Sequence, residues 1–251
     1  MVRILMHGCC GRMGRMITEL AEKDESLYIA AGVDANGEAY AGYPVYSALE
    51  DVQEEVDVVI DFSNAKAVDH LLDWCIEKKV PVAVCTTGLS GEQMERLHQA
   101  AESVAVLKSA NMSIGVNLLL KLLAEAAPKL KEAGFDCEIV EKHHNQKLDA
   151  PSGTALALAD AVNDSLEERC TYVYDRSTRR QKRPGNEIGI SSVRGGSIVG
   201  DHDVIFAGQD EVITFSHTAY SRAIFAKGAL AAAGYLAGRP AGFYDMQDVL
   251  T

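Results

Sequence analysis

Through the first hundred or so positions, short continuous apolar runs alternate with segments whose apolar residues recur every three or four places. The runs cover residues 2–6, 27–33, 56–62, 80–85 and 104–107. Strands covered on both faces read this way, because neither face is left to polar side chains. Between the runs, Met13, Met16, Ile17 and Leu20, and then Ala67, Leu71, Leu72 and Cys75, fall on single helical faces. Ser90 followed by Gln93 has the form of a capping box opening a third helix, through about Ser103. This βα alternation predicts a parallel, doubly wound sheet.

After about Ser113 the pattern changes. A helix carrying Leu118, Leu119, Leu122 and Leu123 leads to a strand over 135–140, a polar stretch, and an Ala/Leu-rich helix from Thr154. From Thr171 onward strands are predicted at 188–193, 204–207 and 212–216, and a last apolar helix runs over 222–236. The α/β reading is therefore a Rossmann-type doubly wound parallel sheet from residues 1–113 and 222–251. Residues 114–221 are expected to form an inserted α+β domain for the substrate.

Composition narrows the classes. Over 251 residues, 47% are hydrophobic and 24% charged, enough to bury a sizeable core. A formal net charge of -12 argues against non-specific binding to nucleic acid or anionic membranes, so an anionic ligand needs a local positive pocket. The five basic residues between Arg176 and Pro184 have no aromatic among them and read as a solvated or intersubunit loop. No signal pattern or long apolar span is seen, and the six cysteines show no metal-ligand spacing. A cytoplasmic protein with reduced thiols and no metal is expected.

Two stretches carry chemistry. Gly8, Gly11 and Gly14 lie between a strand and a helix, and Asp34 closes the next strand. That layout lets a pyrophosphate approach the backbone and an acid hold the ribose hydroxyls. The stretch 138–155 gathers Glu138, Glu141, His143, His144, Lys147 and Asp149 just before Pro151, Ser152, Gly153 and Thr154, which read as a turn opening a helix. Helix N-termini attract anions, so a small carboxylate can be clamped there and protonated by a neighbour.

The stretch 138–155 matches the pattern E-[IV]-x-E-x-H-x-x-x-K-x-D-x-P-S-G-T-A at every specified position. With Thr86, Thr87 and Gly88, with Ser109, Ala110 and Asn111, and with Val193, Arg194, Gly195 and Gly196, it resembles the 4-hydroxy-tetrahydrodipicolinate reductase family over the whole chain. The resemblance implies reduction of a cyclic imine dicarboxylate to tetrahydrodipicolinate with NADH or NADPH, in lysine and diaminopimelate synthesis. It places the catalytic histidine on His143 and the proton-donating lysine on Lys147, with substrate contacts from His144, Gly153 and Thr154. Cofactor contacts fall on Gly8, Cys9, Cys10, Gly11, Arg12, Met13, Asp34, Cys85, Thr86, Thr87, Ser109, Ala110, Asn111 and Met112. A homotetramer joined through the second domain's sheet and residues 171–202 is also implied.

Asp149 is assigned to orienting Lys147 or the turn, while Glu138 and Glu141 are read as structural pairing on a strand. Cys85 stands where the family usually has glycine, and Met112 where phenylalanine is common. Asp34 is followed by Ala35 and Asn36, with no adjacent base to offset a 2′-phosphate, which favours NADH; Arg12 is the candidate to supply the missing charge. Cys9 and Cys10 sit at a helix N-terminus, where thiol pKa values fall, yet read as small residues in a glycine loop rather than a redox pair. Two other readings compete: a Rossmann oxidoreductase for another small substrate, and a nucleotide-binding sensor without catalysis. A proton-donating set such as His143 and Lys147 has no use in a sensor.

Overall fold

A computed structural model describes residues 1–35, 37 and 41–251; Asn36 lies outside the described residues. The chain divides into two compact units, Met1–Ile114 with Ala223–Thr251, and Gly115–Arg222. In chain order the elements are β1 (Val2–His7), α1 (Arg12–Ala21), β2 (Leu27–Val33), β3 (Val45–Tyr46), β4 (Val58–Asp61), α2 (Ala65–Lys78) and β5 (Val82–Val84). There follow α3 (Gly91–Ala101), β6 (Ala105–Leu107), α4 (Ile114–Glu132), β7 (Asp136–His143), α5 (Gly153–Asp164), β8 (Thr171–Val173) and β9 (Glu187–Arg194). The last are β10 (Gly200–Ala207), β11 (Val212–Ala219), α6 (Ala223–Leu236), β12 (Gly242–Tyr244) and α7 (Met246–Val249).

The first unit holds a seven-stranded sheet in the order β12-β6-β5-β4-β1-β2-β3, parallel at every pairing. Alternating side chains of its strands enter two cores: Ile4 and Met6 pack with Ile17 of α1 and Ala226 and Ala229 of α6, whereas Leu5 packs with Leu71 of α2 and Leu97 of α3. That two-sided burial is the physical reason for the continuous apolar runs. Ser90 and Gln93 do form the capping box, worth about 1 kcal/mol at the start of α3. A Cβ on Gly228 of α6 would lie 1.6 Å from Met112 O, so only glycine lets that helix approach so closely.

The second unit holds a five-stranded mixed sheet, β11-β10-β7-β9-β8, with β10 antiparallel to both its neighbours. One face packs Cys137, Ile139, Ile188, Val204 and Phe206 against Leu119 and Leu123 of α4 and Leu158 and Val162 of α5. Leu120 and Leu130 of α4 also pack against that core, whereas Leu118 and Leu122 are exposed.

Several elements differ from the sequence reading. Strand β7 runs on through His143, and β10 begins at Gly200 rather than Val204. The short strands β3 and β12 were not expected. Within the basic loop three of the arginines are paired: Arg176 and Arg183 both bond Glu138, Arg183 also reaches Asp136, and Arg179 takes Glu187 in a fork, while Arg180 and Lys182 are exposed. No helix among the described residues is long and apolar enough to cross a membrane.

Candidate active site

The period-two alternation that buries Cys137 and Ile139 continues past the apolar residues of β7. It carries Glu141 and His143 to the same covered side of the sheet, where both are buried. Register supplies their neighbours: His202 of β10 stands opposite Glu141, and Arg194 of β9 opposite His143.

Glu141 is the hub of this cluster. Its carboxylate accepts two bonds from Arg194, at 2.8 and 2.7 Å, one from His143 Nδ1 at 2.6 Å, and one from the Ser152 N–H at 3.1 Å. Burial pushes the group up, but bonds from Arg194, Ser192, His143 and the Ser152 N–H outweigh it and bring its pKa down to about 2. An ionised carboxylate only accepts, so His143 carries a proton on Nδ1 and leaves Nε2 as the nitrogen turned away from Glu141. Glu141 is thus more than strand packing: it fixes the ring of the candidate catalytic histidine and ties it to the turn before α5.

That turn contains a cis Ala150–Pro151 bond, and Ser152 caps α5 by accepting from the Ala155 N–H at 3.1 Å. Ser152 Oγ lies 2.9 Å from His202 Nε2, while His202 Nδ1 has no partner among the described residues. Burial and the neighbouring His143 hold His202 down at about 4, so it is neutral at ordinary pH. The His143 and His202 rings meet edge to face, 5.1 Å between centroids. Gly153 is exposed and a Cβ there would meet nothing within 4 Å, so the N-terminus of α5 is open to a ligand. Lys147 Nζ pairs with Asp149 at 2.8 Å, and Arg194 reaches back to the Asp149 carbonyl at 2.7 Å. His144 and Thr154 are half-buried on either side of this loop.

In the first unit the glycine turn leaves β1 with Gly8 at φ +81°, where a Cβ would come within 2.6 Å of Phe62 O. Gly14 is packed more tightly still, its missing Cβ 2.4 Å from the carbonyls of Gly8 and Cys9. Gly11 precedes α1 with no side-chain cap, leaving the helix N-terminus for an anion. Asp34 Oδ2 accepts the Cys10 N–H at 3.0 Å, which draws the end of β2 onto the turn. A cavity of about 420 Å³ opens here, lined by Gly8, Gly11, Asp34, Ala35, Ser63 and His70 among others. Arg12 is exposed and Met13 half-buried at the start of α1.

Cys9 corrects the expectation of a lowered thiol pKa: it is fully buried, and burial with the adjoining Cys10 pushes it up to about 12. Cys85 is likewise buried, its thiol raised by burial, while Thr86 is buried, with Oγ1 unpartnered among the described residues, and Thr87 exposed. Lys108, passed over in the sequence reading, donates to the Thr86 carbonyl at 2.7 Å. Ser109, Ala110 and Asn111 line the chain beyond β6, with Asn111 Oδ1 accepting the Ser113 N–H at 2.8 Å. Met112 is a core residue packed with α6 instead of an open surface for a ring. Arg194 and His202 also escaped the sequence reading as site residues. The one signal was the pair of glycines after Arg194, which marks a strand end.

A parallel strand leading through close-packed glycines into an uncapped helix, with an acid from the next strand drawn onto the turn, defines a Rossmann-type pyridine-nucleotide oxidoreductase. The N-terminal model of dihydrodipicolinate reductase matches residues 2–112 and the C-terminal model matches residues 115–250. The chain belongs to the dihydrodipicolinate reductase family. It is 51% identical to the 4-hydroxy-tetrahydrodipicolinate reductase of Caldanaerobacter subterraneus, over 100% of this chain and 98% of that one. It is 48% identical to the enzyme of the same name from Clostridium tetani, over 100% and 97%. Among solved structures, dipicolinate-bound dihydrodipicolinate reductase from Paenisporosarcina superposes with a TM-score of 0.83 at 26% identity, covering 100% of both chains.

Proposed function

We propose that this chain reduces 4-hydroxy-tetrahydrodipicolinate to tetrahydrodipicolinate, a step toward diaminopimelate and lysine, with His143 and Lys147 as its catalytic residues. The observation that carries the residue assignment is the convergence on Glu141: one buried carboxylate positions His143, Arg194 and the Ser152 turn together. The residues present fit a dinucleotide, since Gly8 and Gly14 let the turn pack tightly between β1 and α1, the N-terminus of α1 has no side-chain cap, and a cavity opens at Gly8, Gly11 and Asp34. Gly8, Cys9, Cys10, Gly11, Arg12, Met13 and Asp34 would hold its adenosine and pyrophosphate. Cys85, Thr86, Thr87, Ser109, Ala110 and Asn111 would frame the nicotinamide end, with Met112 packed into the core against α6. When bound, the cofactor supplies the hydride.

The chain's own work is to hold a dianion and deliver a proton. Gly153 and Thr154 offer backbone N–H groups at the start of α5 to one carboxylate, and Gly153 has no side chain to obstruct it. Lys147 is a compact cation with three transferable protons, of which Asp149 engages one direction. His144 adds a second polar contact to the ligand. His143, fixed through Nδ1, turns Nε2 to the reacting groups as an acid–base partner. Asp34 beside Ala35 favours NADH over NADPH, because a 2′-phosphate would meet a carboxylate with no adjoining base.

A homotetramer joined through the outer face of the second unit's sheet is part of the same reading; Tyr174, Val193 and Val212 are exposed apolar side chains on or beside that sheet. The working compartment is the cytoplasm, in keeping with cysteines that form no disulfide among the described residues. Steady-state oxidation of NADH and NADPH by the purified protein, supplied with the product of the preceding synthase, tests the activity. Failure to oxidise either dinucleotide with that product sinks it.

A further inference from the structure

Outside the residues that bind and protonate substrate, one cluster joins two thiols and a carboxylate. Cys9 Sγ and Cys10 Sγ lie 3.8 Å apart, and with an Asp34 carboxylate oxygen all three ligand atoms fall within 4.8 Å of one another. Two thiolates bound at ~2.3 Å to a tetrahedral zinc ion stand ~3.8 Å apart, so the sulfur pair is already at the spacing a zinc ion requires. Sequence spacing hides this set, because Asp34 joins from 24 residues downstream through its bond with the Cys10 N–H.

The backbone holds the ligands in place without an ion. Cys10 is pinned on both sides, its N–H on Asp34 Oδ2 at 3.0 Å and its carbonyl on Arg15 Nε at 3.1 Å. Gly32 makes the room for Cys9: a Cβ there would lie 2.6 Å from its sulfur. Cys10 and Asp34 are only half-buried, so an ion has a route in and a fourth position for water. Two sulfurs and one oxygen select a thiophilic divalent cation over magnesium or calcium, which take oxygen ligands.

We propose that Cys9, Cys10 and Asp34 form a zinc-binding site whose occupation excludes the dinucleotide, making the reductase reversibly sensitive to thiophilic divalent metal. On binding, both thiols give their protons to solvent and two metal–sulfur bonds form. The ion takes the Asp34 carboxylate, the group that would otherwise hold the ribose hydroxyls of the dinucleotide. The exclusion rests on the placement of the dinucleotide at that turn; the metal site itself does not.

The test uses the intact protein titrated with Co²⁺ alone, followed by absorption. The expected result is a thiolate-to-cobalt charge-transfer band saturating at one ion per chain and bleached by Zn²⁺. Cys10→Ser should abolish it, as should Cys9→Ser where that variant folds. Asp34→Asn should weaken metal affinity by more than ~10-fold, the least that even a group supporting a ligand contributes. Excess NADH should raise the apparent Kd for Co²⁺ by a factor of one plus the ratio of free NADH to its own Kd. A wild-type protein with no such band, or a band that survives Cys10→Ser, overturns the site. A cysteine-dependent band indifferent to NADH, with NADH binding confirmed by fluorescence, overturns the exclusion and moves the dinucleotide off this turn.

Discussion

Arg194 grips Glu141 through two parallel hydrogen bonds, Nη1 to Oε2 at 2.8 Å and Nη2 to Oε1 at 2.7 Å, although the residues are 53 apart in sequence. The carboxylate is fully buried, so its charge depends on that fork. Arg194→Ala leaves the charge without its main partner, and such losses are worth about 3 kcal/mol or more. The expected outcome is a stability loss of that size in urea denaturation together with a fall in kcat, since the His143 ring loses its anchor. An unchanged urea midpoint would show that Glu141 finds another partner.

Stability should also fall on mild acidification. His202 is held at about 4 when folded, against an ordinary value of 6.5, so the unfolded chain takes up this proton first. A lowered folded pKa gives stability that is present above 6.5 and lost as pH falls toward 4. From pH 7 to pH 5 the loss from this one group is about 2 kcal/mol. His202→Gln removes the group, so chemical denaturation should show a shallower decline between those pH values. Parallel curves for the two proteins would contradict the assignment. Glu141 acts in a lower window, from its ordinary 4.5 down to about 2, again with stability lost as pH falls.

The first unit was legible in the sequence because its strands are dominantly apolar, broken only by residues such as Arg3 and Asp61, and strands buried on both faces leave that trace. The missed strands left none: β3 pairs only Val45 and Tyr46 with β2, and β12 is strand only through its pairing with β6. In the second unit, β7 and β10 were each cut short at the same kind of place. Glu141 and His143 on one, and His202 on the other, are polar residues in inward positions. A reading by hydropathy takes them for loop, although they occupy a buried site. Arg194 was invisible for a further reason: its importance lies in register across two strands, which no local pattern encodes.

If Lys147 delivers the proton and holds a carboxylate, Lys147→Ala should lower kcat by at least ~10²-fold with folding intact. His143→Ala should do the same. Wild-type turnover in either variant removes that residue from the mechanism.

Asp34 next to Ala35 should give a higher kcat/KM with NADH than with NADPH, and Ala35→Arg should narrow the gap by offering the 2′-phosphate a partner. Steady-state kinetics with both dinucleotides decides it. A strong wild-type preference for NADPH would point to another reader of the phosphate, with exposed Arg12 the first to substitute.

Pyridine-2,6-dicarboxylate, a planar diacid, should inhibit competitively with substrate. Thr154→Val deletes a hydroxyl at nearly constant volume and should weaken the inhibitor by roughly 1–3 kcal/mol. Gly153→Ala should weaken it too, without unfolding the protein, because the added methyl meets only open space in the absence of ligand. NADH affinity should hold in both variants, since residues 8–14 belong to the other unit. Inhibitor affinity surviving both changes would move the diacid away from α5.

The excursion of the chain between α4 and β11 has a consequence for how the molecule is made. The nucleotide-binding sheet lacks α6, which fills one of its cores, and β12, which pairs with β6, until residues 115–222 have been synthesised. The second unit is contiguous and is able to fold while its host is still incomplete. Through that interval β6 offers a bare edge of N–H and C=O groups beside an unfilled apolar face, the kind of surface on which nascent chains aggregate. Loss of the 29 residues of Ala223–Thr251 would therefore leave an adhesive intermediate in place of a smaller enzyme.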